Sequence, residues 1–134
     1  MDLSYAQALS MIEAALTTCG SMQVPVSVAV LDSGRELVAF ARQDGAPLLS
    51  TEVAQAKAFT ARSLNMATGD VGPLTQPGAP LFGLEVSSRH RLVSFAGGRP
   101  VEVDSTVVGA VGVSGGTVEQ DDEIALAALK AVAG

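Results

Sequence analysis

The segment "TVVGAVGVSGGTVEQDD", from Thr106 to Asp122, constrains the fold more than any other part of the chain. Its first half, Thr106 to Val113, is apolar on both alternating faces, which is typical of a central strand covered on both sides. Gly115 and Gly116 then permit the positive φ of a turn. Thr117-Val-Glu-Gln120 has the pattern of a capping box, which begins a helix. The segment therefore predicts a buried strand, a glycine turn and a capped helix.

The composition indicates how such a strand is covered. A chain of 134 residues predicts a single domain, residues 1–134, with one hydrophobic core. Only 4% of the residues are aromatic and tryptophan is absent, so the interior must be built from Ala, Val and Leu. Small side chains allow helices to approach a sheet closely.

The charge and the cysteine content limit the partners and the compartment. Fourteen acids against eight bases give a net charge of −6, without the cluster of Lys and Arg that binds nucleic acid. No apolar run approaches the roughly 20 residues of a membrane span. The single Cys19 cannot form an internal disulfide, and the first twenty residues have no basic region. We expect a cytoplasmic protein that binds neither nucleic acid nor membrane.

Helical periodicity occurs in three places. Ser4-Tyr-Ala-Gln7 is a capping box, and the apolar residues that follow predict a helix ending at Cys19-Gly20. The alanine-rich segment Leu48 to Met66 contains no Gly or Pro and is predicted to be the longest helix. A third helix follows the capping box at Thr117. Between the last two, Thr68 to Pro80 holds three prolines and three glycines and predicts a structured loop, a candidate pocket wall or lid.

The remaining apolar runs predict strands joined by tight turns. Asp32-Ser-Gly34 joins the first two into a hairpin, and the other three form a meander. The predicted strands are Val26–Leu31, Glu36–Arg42, Arg91–Phe95, Arg99–Val103 and Thr106–Val113. The element order α-β-β-α-β-β-β-α favours an α/β fold of the α+β type. Its single five-stranded antiparallel sheet would have the order 2-1-5-4-3 and helices on its faces.

Four segments in this order resemble the GlcG/HbpS family. They are "VPVSVAVLDSGRELVAFARQDGA", "AQAKAFTARSL", "FAGGRPV" and "VVGAVGVSGGTVEQDDEIA", and the similarity extends from about Leu3 to Ala128. That family includes haem-binding proteins and the C-terminal domain of PduO-type cobalamin adenosyltransferases. The resemblance implies an antiparallel sheet with helices, a homo-oligomer and, as in several members, haem as the ligand.

The glycine turn is not a nucleotide loop. The sequence "GVSGGT" lacks the lysine of a Walker A motif, and the turn follows the last strand rather than the first strand of a parallel unit. Acids such as Glu119 already complement the helix dipole there. We interpret the turn chiefly as a structural joint. The alternative is that the backbone amides near Ser114 and Gly115 contact a ligand.

Arg42 and Asp44 lie where the second strand of the hairpin ends, and Lys57 is the only lysine in the alanine-rich helix that follows. The resemblance places them at positions that recur in the family. They fit either a solvated ion pair at the strand end or a pocket in which Arg42 and Lys57 hold a carboxylate, such as a haem propionate or a small organic acid. Burial would lower the pKa of Lys57 and suit acid/base work. Lys57 and Glu119 are therefore the candidate catalytic residues.

His90 is the only histidine in the chain and lies in the turn-like sequence "SSRHRLV". It fits either a surface position or a ligand to haem iron, which neutral imidazole binds. Gly97 and Gly98 predict either a tight bend between strands or a close approach of the backbone to a ligand. Cys19 is interpreted as a small buried apolar residue.

Three functions remain open from the sequence. The first is a small cytoplasmic homo-oligomer that binds haem or another tetrapyrrole in a pocket between the long helix, the segment Thr68 to Pro80 and the sheet. The second is a metal-independent enzyme that performs acid/base chemistry on a small carboxylate-bearing metabolite. The third is an accessory or assembly subunit that acts through its oligomer surface.

Overall fold

A computed structural model describes residues 2–90 and 92–132 as an α+β fold with one antiparallel sheet. The strands follow the order β2-β1-β4-β3. The helices and strands are α1 (Tyr5–Met22), β1 (Ser27–Asp32), β2 (Leu37–Arg42), α2 (Ser50–Leu64), α3 (Thr68–Leu74), β3 (Gly98–Val103), β4 (Thr106–Ser114) and α4 (Val118–Lys130), with a short 3₁₀ turn at Leu84–Val86. Within the described residues, no helix is both long and apolar enough to span a membrane.

The strand β4 is central, as predicted from its two apolar faces. It pairs with β1 on one side and β3 on the other, and residues 108–113 are buried. The turn between β1 and β2 is held by the Asp32 carboxylate, whose Oδ1 accepts from the N–H groups of Gly34 at 2.9 Å and Glu36 at 3.0 Å. Asp104 and Ser105, both with positive φ, form the two-residue turn between β3 and β4. The predicted hairpin of the first two strands and the predicted pairing of the last two strands are confirmed.

The prediction of a fifth strand at Arg91–Phe95 is wrong. Arg91 lies outside the described residues, and residues 92–95 are not in the sheet. The backbone N–H of Val93 donates to the Thr60 hydroxyl at 2.9 Å, so this segment is tied to α2 instead. Pro100 in β3 has no N–H to offer to a further strand on the outer edge. The sheet therefore ends at β3, and the other four strands keep the predicted order.

The structure confirms the predicted N-terminal caps of two helices, but the helix lengths differ from the prediction. The Ser4 and Thr117 side chains both complete the predicted capping boxes. The expectation that the alanine-rich helix would be the longest is wrong, because α1 has 18 residues and α2 has 15. Gly20 stays within α1, which ends at Met22 and is followed by Gln23 in the left-handed region. The segment after α2 contains the short helix α3.

The two faces of the sheet are covered differently. α1 and α4 pack on a face rich in valine, where Val28 of β1 and Val111 of β4 are fully buried. α2 packs on the other face through alanines such as Ala58. A Cβ atom at Gly112 of β4 would collide with the carbonyl oxygen of Ala54, so the absence of a side chain lets α2 lie close to the sheet. This close packing leaves the outer face of α2 free to form a site.

Candidate functional site

An open groove of about 370 Å³ runs along the outer face of α2. Glu85, Leu92, Val93 and Phe95 form the side of the groove opposite α2, and the bond from the Val93 N–H to the Thr60 hydroxyl ties this side to the helix. Six of the eight lining residues are apolar, and Glu52 and Glu85 are the other two. The lining consists of Leu49, Glu52, Val53, Ala56, Glu85, Leu92, Val93 and Phe95. An apolar open groove with few polar groups suits a flat apolar ligand.

His90 lies close to the groove but is not among its lining residues. Its ring stacks on Phe59, with the ring centroids 4.6 Å apart. Phe59 follows the groove residue Ala56 by three positions and so shares its face of α2. The exposed imidazole therefore lies beyond the Ala56 end of the groove. Among the described residues, no group of three His, Cys, Asp or Glu side chains is placed to hold a metal ion.

A polar pocket of about 200 Å³ continues along the same face of α2. Ser33 and Arg35 come from the β1–β2 turn, and Arg62 and Ser63 come from the last turn of α2. The Arg35 guanidinium carbon lies 4.6 Å from the centroid of the Phe59 ring. Phe59 thus contacts both the imidazole of His90 and the guanidinium of Arg35.

Lys57 is fully buried between α2, β4 and α4 rather than in the groove. Its amine donates to the Val113 carbonyl oxygen at 2.8 Å and to the Asp121 carboxylate at 3.0 Å. The groove residue Phe95 lies over this amine, 5.1 Å from Nζ to the ring centroid. Burial lowers the pKa of Lys57, and the charge of Asp121 opposes that shift. Because Lys57 is fully buried, its amine does not line the groove.

The glycines near Lys57 approach protein atoms. A Cβ atom at Gly97 would lie 2.5 Å from the Lys57 amine, and one at Gly98 would lie 2.5 Å from the Lys57 carbonyl oxygen. Gly115 is packed against the backbone of residues 25 and 26. At the glycine turn the Gly116 N–H donates to Asp121 Oδ1 at 2.8 Å. The Asp121 carboxylate of α4 thus already accepts the hydrogen bond that the Gly116 N–H could have donated to an anion.

The predicted pairing of Arg42 with Lys57 in one pocket does not match these positions. Arg42 is exposed at the end of β2, whereas Lys57 is buried in its ion pair, and neither lines the groove. Asp44 lines a separate pocket of about 250 Å³ beside the buried Cys19, and Glu119 is exposed on α4. No residue of the segment Thr68 to Pro80, the expected pocket wall, lines this groove, whose wall opposite α2 is formed by Glu85, Leu92, Val93 and Phe95.

Comparison with known proteins identifies the family. The family model described as "Haem degrading protein HbpS-like" matches residues 3–130. The chain belongs to the HbpS-like family. It is 40% identical over 127 residues to an uncharacterised 15.0 kDa protein from the dhaT-dhaS intergenic region of Citrobacter freundii, a match that covers 95% of this chain and 89% of that protein. The GlcG/HbpS resemblance is thereby confirmed.

This HbpS-like chain also resembles a part of a larger enzyme. It is 39% identical to the corrinoid adenosyltransferase PduO of Salmonella typhimurium, over 97% of this chain but only 39% of PduO. The chain therefore spans well under half the length of that relative.

Solved structures of HbpS-like proteins share the fold over nearly the whole chain. A crystal structure of the PduO C-terminal domain in complex with haem has a TM-score of 0.95 and 36% identity, covering 98% of this chain and 96% of that one. The crystal structure of HbpS has a TM-score of 0.90 and 30% identity, covering 100% of this chain and 92% of that one. Haem is thus a ligand of at least one close structural relative.

None of the residues that line the groove or the polar pocket is among the site residues predicted from the sequence. Phe59 and Ser63 follow Ala56 by three and seven positions and share its helical face, so their spacing contains a usable signal. Arg35 follows a turn and shows no periodicity that links it to α2. The predicted strand Arg91–Phe95 gives no reason to expect the contact between Phe95 and Lys57.

Proposed function

We propose that the chain binds haem or a closely related tetrapyrrole in the groove along α2. The observation that carries this proposal is the open groove with six apolar lining residues, on a chain whose relative, the PduO C-terminal domain, was crystallised with haem. The groove fits the ligand chemically, because a macrocycle with two apolar faces gains free energy by leaving water for an apolar surface.

Different residues around the groove would contribute different contacts to such a ligand. Val53, Ala56 and Phe95 provide apolar contact area. His90 provides the only imidazole of the chain, beyond one end of the groove, and we propose it as the axial ligand. Bound haem would supply an iron centre for ligand binding or redox chemistry.

Titration with haemin tests binding in the groove. We expect a saturable Soret band with the unmodified chain. Ala56→Glu places a charge among the apolar lining residues and is expected to weaken binding at least tenfold. Ala127→Glu is the matched control, because Ala127 is also a half-buried alanine in a helix, on α4. An equal effect of both substitutions, or an unsaturable spectrum throughout, would contradict the proposal.

His90→Ala tests axial ligation separately. Loss of the imidazole is expected to shift or abolish the Soret band, while the apolar contacts still allow some binding. Far-ultraviolet circular dichroism of the variant checks that the fold is retained. A Soret band unchanged in position would show that iron is not ligated by His90.

We also propose that the chain forms a homo-oligomer through apolar residues next to the groove. Leu48 and Val86 are 89% and 88% exposed, and each is the chain neighbour of a groove-lining residue, Leu49 or Glu85. Exposed apolar side chains near a site are typical of surfaces that another chain covers. A second copy bound there would also help to close the open groove over its ligand.

A further inference from the structure

The polar pocket beyond Phe59 holds two guanidinium groups without a carboxylate among its lining residues. Arg35 and Arg62 line it together with the hydroxyls of Ser33 and Ser63. Among the described residues, neither arginine has a carboxylate within ion-pair distance, although the chain as a whole carries six more acids than bases. Arg99 provides the contrast, because it binds Asp122 with two hydrogen bonds of 2.7 Å.

Both guanidinium groups are held in place by neutral partners. Arg62 Nε donates to the Ser33 carbonyl oxygen at 2.8 Å, and its Nη1 donates to Asn65 Oδ1 at 2.7 Å. Arg35 Nη1 donates to Ser63 Oγ at 3.2 Å, and its guanidinium lies over the Phe59 ring. A guanidinium has five N–H donors, so each arginine keeps donors for an anion. Because the side chains are already ordered, binding an anion costs little further entropy.

The polar pocket and the groove are in line along α2. One face of the helix carries Ala56, which lines the groove, then Phe59, and then Ser63, which lines the polar pocket. The step from Ala56 to Ser63 spans about two turns of helix, or 10 Å. The face is thus mainly apolar along the groove and carries two guanidinium groups in the polar pocket beyond Phe59.

From the position of these two guanidinium groups beside the apolar groove we infer that Arg35 and Arg62 form the subsite for the carboxylates of the ligand in the groove. The inference rests on the proposed tetrapyrrole binding and adds a selectivity to it. The chain would prefer a tetrapyrrole that carries free carboxylates over the same macrocycle with esterified ones. Guanidinium groups suit this role because they bind carboxylates through two parallel hydrogen bonds.

Titration with haemin and with haemin dimethyl ester tests the subsite. The ester keeps the macrocycle and the iron but has no free carboxylate. The unmodified chain is expected to bind haemin about tenfold or more tightly than the ester, since charge-assisted hydrogen bonds are lost. Arg35→Gln and Arg62→Gln should each reduce this preference without changing the affinity for the ester. Lys130→Gln, which removes one exposed charge from α4, should leave the preference intact.

The outcomes separate the subsite from the groove. Equal affinity of the unmodified chain for haemin and the ester overturns the subsite while tetrapyrrole binding stands. If neither haemin nor the ester binds saturably, the proposed function itself is overturned, and the subsite with it. Arg62→Lys guards against a folding defect, because it keeps the charge. The melting temperature of Arg62→Lys should match that of the unmodified chain. Its preference for haemin over the ester should then be weaker than that of the unmodified chain and stronger than that of Arg62→Gln, and this result supports the subsite.

Discussion

At the scale of single residues, Gly112 determines how closely α2 approaches the sheet. A Cβ atom there would collide with the Ala54 carbonyl oxygen and lie 2.6 Å from the Ala58 nitrogen, both backbone atoms of α2. Backbone atoms of a packed helix cannot move aside as a flexible side chain can. We expect Gly112→Ala to lower the free energy of unfolding in urea by about 3 kcal/mol, the upper range for overpacking.

Gly20→Ala is the control for this substitution, with the opposite expected sign. Gly20 lies within α1, and a Cβ atom there has no neighbour within 4 Å. Alanine has the higher helix propensity, so this change should raise the free energy of unfolding by about 0.5–1 kcal/mol. If the two variants changed stability in the same direction and to the same extent, close packing at Gly112 would not be the cause.

The candidate site was predicted only in part, for reasons that particular residues make clear. Lys57 is the only lysine of α2, and the structure shows that it is buried. Its partner Asp121 lies 64 positions later, and nothing in local spacing shows that α4 brings that carboxylate to α2. Arg35 and Arg62 are brought together in the same way, by the turn between β1 and β2. Local patterns reveal helix faces, whereas contacts between distant elements require the topology.

At the scale of elements, the ion pair of Lys57 and Asp121 ties α2 to α4 across the end of β4. Their side chains are only 1% and 3% exposed. Removing one member of a buried pair leaves an uncompensated charge and typically costs about 3–5 kcal/mol. We therefore expect Lys57→Met to lower the free energy of unfolding by about this amount in urea denaturation.

Two further variants show that the cost comes from the unpaired charge. Asp121→Asn keeps an oxygen for the Gly116 N–H but removes the charge, so Lys57→Met/Asp121→Asn should be more stable than Lys57→Met alone. Lys130→Met changes an exposed lysine and should alter stability by less than about 0.5 kcal/mol. A double variant less stable than Lys57→Met would contradict this explanation.

The sheet was predicted well wherever turn residues and strand faces agree. The Asp32 turn and the two apolar faces of Thr106 to Val113 placed the hairpin and the central strand correctly. The segment 92–95 has the same apolar character as a strand, but its backbone hydrogen bond goes to Thr60. Pro100 was a visible signal against a neighbour outside β3. Local composition alone does not say whether an extended apolar segment joins a sheet or a helix.

At the scale of the whole molecule, the exposed apolar residues near the groove predict self-association. Leu48 and Val86 are 89% and 88% exposed, and such side chains gain free energy when a partner covers them. We expect light scattering of the unmodified chain to give the mass of an oligomer. Leu48→Glu and Val86→Glu should shift that mass toward the monomer, because each would bury a charge in the contact.

Leu126→Glu is the control for this shift, since Leu126 is also exposed but lies on α4, away from the groove. It should leave the oligomer intact. Because the second copy is proposed to help close the groove, Leu48→Glu should also weaken haemin binding at concentrations where the unmodified chain is an oligomer. A monomeric mass for the unmodified chain would overturn the proposed contact. An oligomer that resists both glutamate substitutions would place the contact on another face of the molecule.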